Sequence, residues 1–147
     1  MEGRHKKVQI VIAALSPSGD WQCLILRTNK DRGHYWQNVT GSVDGDETFE
    51  EGALREAQEE TGLPLEGIVD IQDLGMVNTF LDRWKRRVVQ HSFLVVCEQQ
   101  WKPVIHHDEH DDWRWIPLSE IGPQTLEWAS NSEALAKAAR ILRRMAA

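Results

Sequence analysis

A mixed-sheet α/β sandwich is the fold class this sequence predicts, on three observations. Apolar, β-branched runs recur along the chain, the firmest at Val8–Leu15 and Val88–Cys97. Two capping boxes, Thr48 with Glu51 and Ser130 with Glu133, open one internal and one C-terminal helix. At 147 residues the chain has room for one core, so a single domain over 1–147 is expected. Strands interspersed with two helices pack as layers of sheet and helix.

In chain order, Val8–Leu15 reads as a buried strand, and Ser16-Pro17-Ser18-Gly19-Asp20 as a turn to its partner, Trp21–Arg27. Asn29–His34 reads as a polar loop and Tyr35–Thr40 as a short extended piece. A helix from Thr48 is stopped by Gly62 and Pro64. Ile68–Phe80 is extended, Arg83–Arg87 is a basic stretch interrupted by Trp84, and Val88–Cys97 is a strand. His106–Asp112 reads as a polar loop, Trp113–Ile116 as a short strand ended by Pro117. The last helix, capped by Ser130, carries Leu135, Ala138, Ala139 and Leu142 at helical spacing.

The internal helix carries the chemistry. Glu56, Glu59 and Glu60 are three and four residues apart and share a face. Like charges so placed destabilise an isolated helix by about 0.2–0.5 kcal/mol per pair, and Arg55 alone cannot neutralise them. A divalent cation would, and hard cations are usually shared between carboxylates and the phosphates of a substrate. Gly41 and Gly62 bracket this helix, where backbone must turn or come close to something.

Composition narrows the field. The net charge of −6 disfavours non-specific nucleic-acid binding. Met1–Lys7 is polar and Val8–Leu15 too short to span a membrane, so neither a signal peptide nor a membrane anchor is expected. Cys23 and Cys97 lie in apolar runs and read as reduced core residues, which suits a cytoplasmic protein. No Cys-x-x-Cys pair or zinc spacing is present. The chain is ordinary otherwise, apart from seven tryptophans.

Gly41, Glu47, Arg55, Glu56, Glu59, Glu60 and Gly62, with Ala57 and Leu63 at the apolar positions, fill a signature that resembles that of the Nudix hydrolases. The resemblance implies an α/β/α sandwich that hydrolyses a nucleoside diphosphate linked to a further group. It implies Mg²⁺ or Mn²⁺ held by Glu56, Glu59, Glu60 and the carbonyl of Gly41, with Arg55 orienting a glutamate through Glu47. It also makes Glu109 a candidate base or extra ligand, since many members carry a glutamate in the loop before the Trp113 strand. His106, His107 and His110 read as exposed loop residues, with His110 a weaker candidate for substrate contact. Arg27 is a candidate phosphate contact, and Arg83, Lys85, Arg86 and Arg87 could draw in a triphosphate tail or an RNA 5′ end.

Within the family, Tyr35–Val43, the Glu109-His110 pair and Trp128-Ala129-Ser130-Asn131 resemble the dihydroneopterin triphosphate pyrophosphohydrolases of folate synthesis. That likeness covers about a quarter of the chain, and Leu65–Gln90 shows none. It makes Trp36 and Asn131 candidates for stacking on and reading a ring. Three alternatives stay open: a broader (d)NTP pyrophosphatase; an enzyme of dinucleoside polyphosphates, nucleotide sugars or RNA 5′ ends; and a non-catalytic nucleotide sensor. The expected partner is a small phosphorylated substrate, not a membrane or a nucleic acid, and a homodimer is compatible with the sequence.

Overall fold

A computed structural model describes residues 4–145. Seven strands form one mixed sheet: β1 Arg4–Leu15, β2 Trp21–Thr28, β3 Trp36–Gln37, β4 Val39–Ser42, β5 Ile68–Leu81, β6 Arg87–Cys97 and β7 His110–Pro117. Two helices, α1 Phe49–Thr61 and α2 Ala129–Met145, cover it. The main path runs β3-β2-β1-β6-β5, with β4 on β1 and β7 on β2. Among the described residues only β1 and β6 pair in parallel.

Alternation along the strands feeds two cores, because successive side chains point to opposite faces. Ile10, Ile12, Leu24, Leu26, Phe93 and Val95 pack against Ala53, Ala57 and Leu63 of the α1 segment. Their neighbours Val11, Ala13, Cys23, Ile25, Leu94 and Val96 pack with Leu135, Ala138 and Leu142 of α2. Being covered on both faces, β6 is continuously apolar over its second half, Phe93–Cys97, after the polar Gln90-His91-Ser92. The cysteines are free, buried, and divided between the two cores. No helix among the described residues is long and apolar enough to cross a membrane.

One irregularity positions the site. β1 pairs with β2 over Ile12–Leu15 and with β4 over Lys7–Ile10, along the same edge. β2 in turn pairs with β3 at Leu26 and Arg27. β1 and β2 therefore splay, and β3 and β4 line the two sides of the wedge. Asn38, at its apex, donates through Nδ2 to Gln9 Oε1 (2.8 Å) and to the Asn131 carbonyl (3.0 Å). Its backbone N–H donates to Asn131 Oδ1 (3.0 Å), and Gln9 continues the network to Ser92.

Three expected boundaries are corrected. α2 begins at Ala129, so Ser130 lies inside its first turn and does not cap it. Ser132 does the local work instead, its hydroxyl accepting from the Leu126 N–H (2.8 Å) and donating to the Leu126 carbonyl (2.9 Å). β7 starts at His110, within the expected loop, and runs through Pro117, because it pairs with β2 as far as Thr28. Tyr35–Thr40 is not one extended piece: its parts belong to two strands with different partners.

Candidate active site

α1 forms where the sequence places it. Thr48 accepts from the Glu51 N–H, Glu51 returns a bond to the Thr48 N–H, and Gly62 ends the helix in the left-handed region at φ +70°. His106 Nε2 lies 2.7 Å from the Glu59 carbonyl, and Trp101 Nε1–H donates to that of Thr61 (2.9 Å), so two carbonyls of the last turn find partners outside the helix. The carbonyl bond holds the His106 imidazole pKa above its usual value.

The helix lays its acidic face against the wedge. Glu56 passes so close over Gly41 of β4 that a Cβ at Gly41 would fall inside the Glu56 side chain. Gly41 is thus fixed by close approach. Glu56 and Glu60 are buried, at 9% and 8% exposure, whereas Glu59 is exposed. The shared face therefore divides.

On one side Arg55 gathers the carboxylates. Its Nε donates to Glu47 Oε2 (2.7 Å) and its Nη2 to Glu47 Oε1 (3.0 Å) and the Ser42 carbonyl (2.7 Å). Its Nη1 donates to Glu56 Oε2 (3.1 Å) and Glu59 Oε1 (3.0 Å). This fork raises the guanidinium pKa, chiefly through Glu47, and lowers that of Glu47.

On the other side stands Glu60. Its Oε1 lies 3.6 Å from His110 Nδ1, and neither atom has a hydrogen-bond partner among the described residues. Burial, then the charges of Glu109 and Glu56, push the Glu60 carboxyl up to about 7. Burial, then Arg32, pushes His110 down to about 4. His110 is 4% exposed, which corrects its reading as an exposed loop residue: β7 carries it inward, and its Nε2 sits 3.0 Å from Gln37 Nε2.

Glu109 and His110 open onto a cleft of about 300 Å³ also lined by Lys7, Arg32, Tyr35, Thr40 and the Asp82–Trp84 turn. Asp82 Oδ1 accepts from the Trp84 and Arg86 N–H groups (2.9 Å each), tightening that turn. Trp84 is 60% exposed at its tip, with the Arg83 and Arg86 guanidiniums 4.4 and 5.0 Å from its ring.

The structure brings Gly41, Arg55, Glu56, Glu59, Glu60 and Glu109 to one corner, but not Arg27, Trp36 or Asn131. Arg27 donates to Asp111 (2.7 Å) and lies over Trp36, its register partner, which packs on the α2-side core. The Asn131 side-chain oxygen accepts from the Asn38 N–H at the wedge apex. Lys7, Arg32 and Tyr35 were missed, since each stands in an unremarkable strand or loop and meets the cleft only through the splay of β1 and β2.

The residues present fit a divalent cation. Glu60, Glu109 and His110 offer ligand atoms within 4.8 Å of one another, and two of their buried atoms, Glu60 Oε1 and His110 Nδ1, are unpaired among the described residues. The carboxylates of Glu47, Glu56, Glu59, Glu60 and Glu109 outnumber the two arginines that pair with them, Arg55 and Arg32.

Residues 5–138 match the NUDIX domain family. The chain is 28% identical over 151 aligned positions to the dihydroneopterin triphosphate diphosphatase of Haemophilus influenzae, covering 96% of this chain and 93% of that one. It is 33% identical to the RNA pyrophosphohydrolase of Pseudoalteromonas translucida over 56% of each chain, and so spans little more than half of that relative. The Caenorhabditis elegans Ap4A hydrolase in a binary complex superposes with a TM-score of 0.79 at 22% identity, over 95% of this chain and 98% of that one. With a full signature on a matching fold, the chain belongs to the NUDIX family of hydrolases. Members of that family generally use divalent metal ions on small phosphorylated substrates.

Proposed function

We propose that this enzyme hydrolyses dihydroneopterin triphosphate to the monophosphate and pyrophosphate, with Mg²⁺ or Mn²⁺. The observation that carries the reading is the buried Glu60, with its Oε1 unpaired, beside Glu109 at the edge of a cleft that Lys7, Arg32 and Arg83 also line, Arg32 Nη1 lying 3.9 Å from Glu109 Oε1. Acidic and basic side chains lining one cleft suit a metal–polyphosphate pair better than either ion alone. The full-length relative named for this substrate supports the choice. Folate synthesis in the cytoplasm is the setting that goes with it.

Glu56, Glu59, Glu60, Glu109 and the Gly41 carbonyl would hold the metal, which when bound neutralises charge building on phosphate oxygens. Arg55 holds Glu56 and Glu59 in place. Glu109, partly exposed on the cleft wall, takes the proton from the attacking water at a carboxylate oxygen. The new P–O bond forms as the P–O–P bridge breaks, and Lys7 and Arg32 compensate the departing pyrophosphate. Tyr35, braced edge-on by Trp128 with centroids 5.7 Å apart, and Trp84 offer ring faces to the heterocycle. In this reading Arg27, Trp36 and Asn131 support the frame.

A second reading, action on triphosphorylated RNA 5′ ends, draws on the arginine-flanked Trp84 at the cleft mouth and on the RNA pyrophosphohydrolase relative. A chromatographic product assay with Mg²⁺ decides. The panel is dihydroneopterin triphosphate, the ordinary and oxidised dNTPs, diadenosine polyphosphates and triphosphorylated RNA. Preference for the pterin with pyrophosphate released is expected; faster turnover of RNA or another member overturns the assignment.

A further inference from the structure

We infer that His110 is a nitrogen ligand of the cation site, and that with Glu60 and Glu109 it biases the site toward Mn²⁺, Co²⁺ or Zn²⁺ over Mg²⁺. This rests on the reading that the cluster holds a divalent cation, and not on which triphosphate is cleaved.

The geometry is that of two ligands awaiting a common ion. Glu60 Oε1 and His110 Nδ1 stand 3.6 Å apart, beyond a hydrogen bond. Both are buried and without a partner among the described residues. Ligands about 2.0–2.2 Å from one ion, at ordinary angles, stand roughly 3–3.5 Å from each other, so a small adjustment admits the ion. Glu109 supplies a third ligand atom within 4.8 Å of both.

The ring is held as metal-ligating imidazoles are, through its other nitrogen. His110 Nε2 lies 3.0 Å from the Gln37 side-chain amide. A half-turn of that amide, which exchanges its oxygen and nitrogen, lets Gln37 accept from Nε2–H. The Nδ1 lone pair then faces Glu60 Oε1. Two lone pairs buried face to face repel unless a cation lies between them. An imidazole nitrogen adds more affinity for the transition metals, rising from Mn²⁺ through Co²⁺, than for the harder Mg²⁺, which prefers an all-oxygen set.

Pulsed EPR of the Mn²⁺-loaded protein tests this directly. Echo modulation from a directly bound ¹⁴N is expected, replaced by a ¹⁵N pattern when the protein is grown on [¹⁵N]histidine. His110→Gln should abolish it. His106→Gln should keep it, because that imidazole is engaged by the Glu59 carbonyl. In calorimetric titration, His110→Gln should weaken Mn²⁺ by about tenfold and Mg²⁺ by less than about threefold. Mn²⁺ binding without histidine coupling overturns the assignment, as does an equal loss of both metals in the variant. Failure of the unaltered protein to bind Mn²⁺ overturns the metal reading as well, so the two failures are distinguishable. The labelled, unaltered protein gives the answer even where His110→Gln does not fold.

Discussion

The Arg55 side and the Glu60 side of the carboxylate cluster lie on one helix and differ in one respect. Around Arg55 each guanidinium nitrogen is engaged, and Glu47, Glu56 and Glu59 share one fixed cation. Around Glu60 a carboxylate and an imidazole are buried with atoms unpaired. The first arrangement is finished without a ligand and holds the frame; the second is complete only when something binds. Among the described residues Trp21 Nε1, Asn38 Oδ1 and Asn78 Oδ1 are also buried without a partner, but only Glu60 and His110 set two such atoms face to face, and there both groups are ionisable.

The strongest way to break this contrast is Glu60→Gln. Turnover with Mg²⁺ should fall by about 10³-fold, with circular dichroism unchanged; near-normal turnover removes Glu60 from the site. The same variant should be the more stable protein in EDTA. A carboxyl raised from 4.5 to about 7 binds its proton more tightly folded than unfolded, so it opposes folding increasingly as pH rises through that window. At pH 8 denaturant titration should favour the variant by about 3 kcal/mol, the gap closing toward pH 4.5. His110, lowered to about 4, acts with the opposite sign, opposing folding as pH falls below 6.5. Only the difference between variant and parent therefore isolates Glu60.

Arg55→Met addresses the finished side. Removing the cation leaves several carboxylates facing one another, and a loss of about 2 kcal/mol is expected in EDTA. That is less than a fully buried pair would show, since Arg55 keeps a quarter of its exposure. Unchanged stability would mean that this side is no frame. Smallest is Thr48→Ala, which removes one arm of the capping box for about 1 kcal/mol and should leave turnover unaltered.

What was legible in the sequence was local. Thr48, Glu51 and Gly62 specify α1 through bonds to their own neighbours, and spacing alone put three glutamates on one face. Their division into two buried and one exposed was not legible, because it depends on β4 passing beneath Glu56 at Gly41. His110 was misread for the same reason: a polar His-Asp-Glu run signals a loop until pairing with β2 turns one residue inward. Ser130 offered a capping pattern that Ser132 overrode through a contact to Leu126, outside the helix. Arg27 and Trp36 sit close to the signature in sequence and take the other face of the sheet, an outcome of strand parity that residue type does not announce.

The cysteines give the fold a chemical clock. Burial pushes both thiols up to about 12, so at neutral pH only about one in 10⁵ is thiolate. Lying in separate cores, they do not meet to form a disulfide. A thiol reagent should therefore find no reactive sulfur in the native protein and two in the unfolded chain. Its rate of colour formation would then report opening of the molecule without any added probe. A cysteine introduced at the exposed Lys85 turn should label selectively, with the native pair left in place.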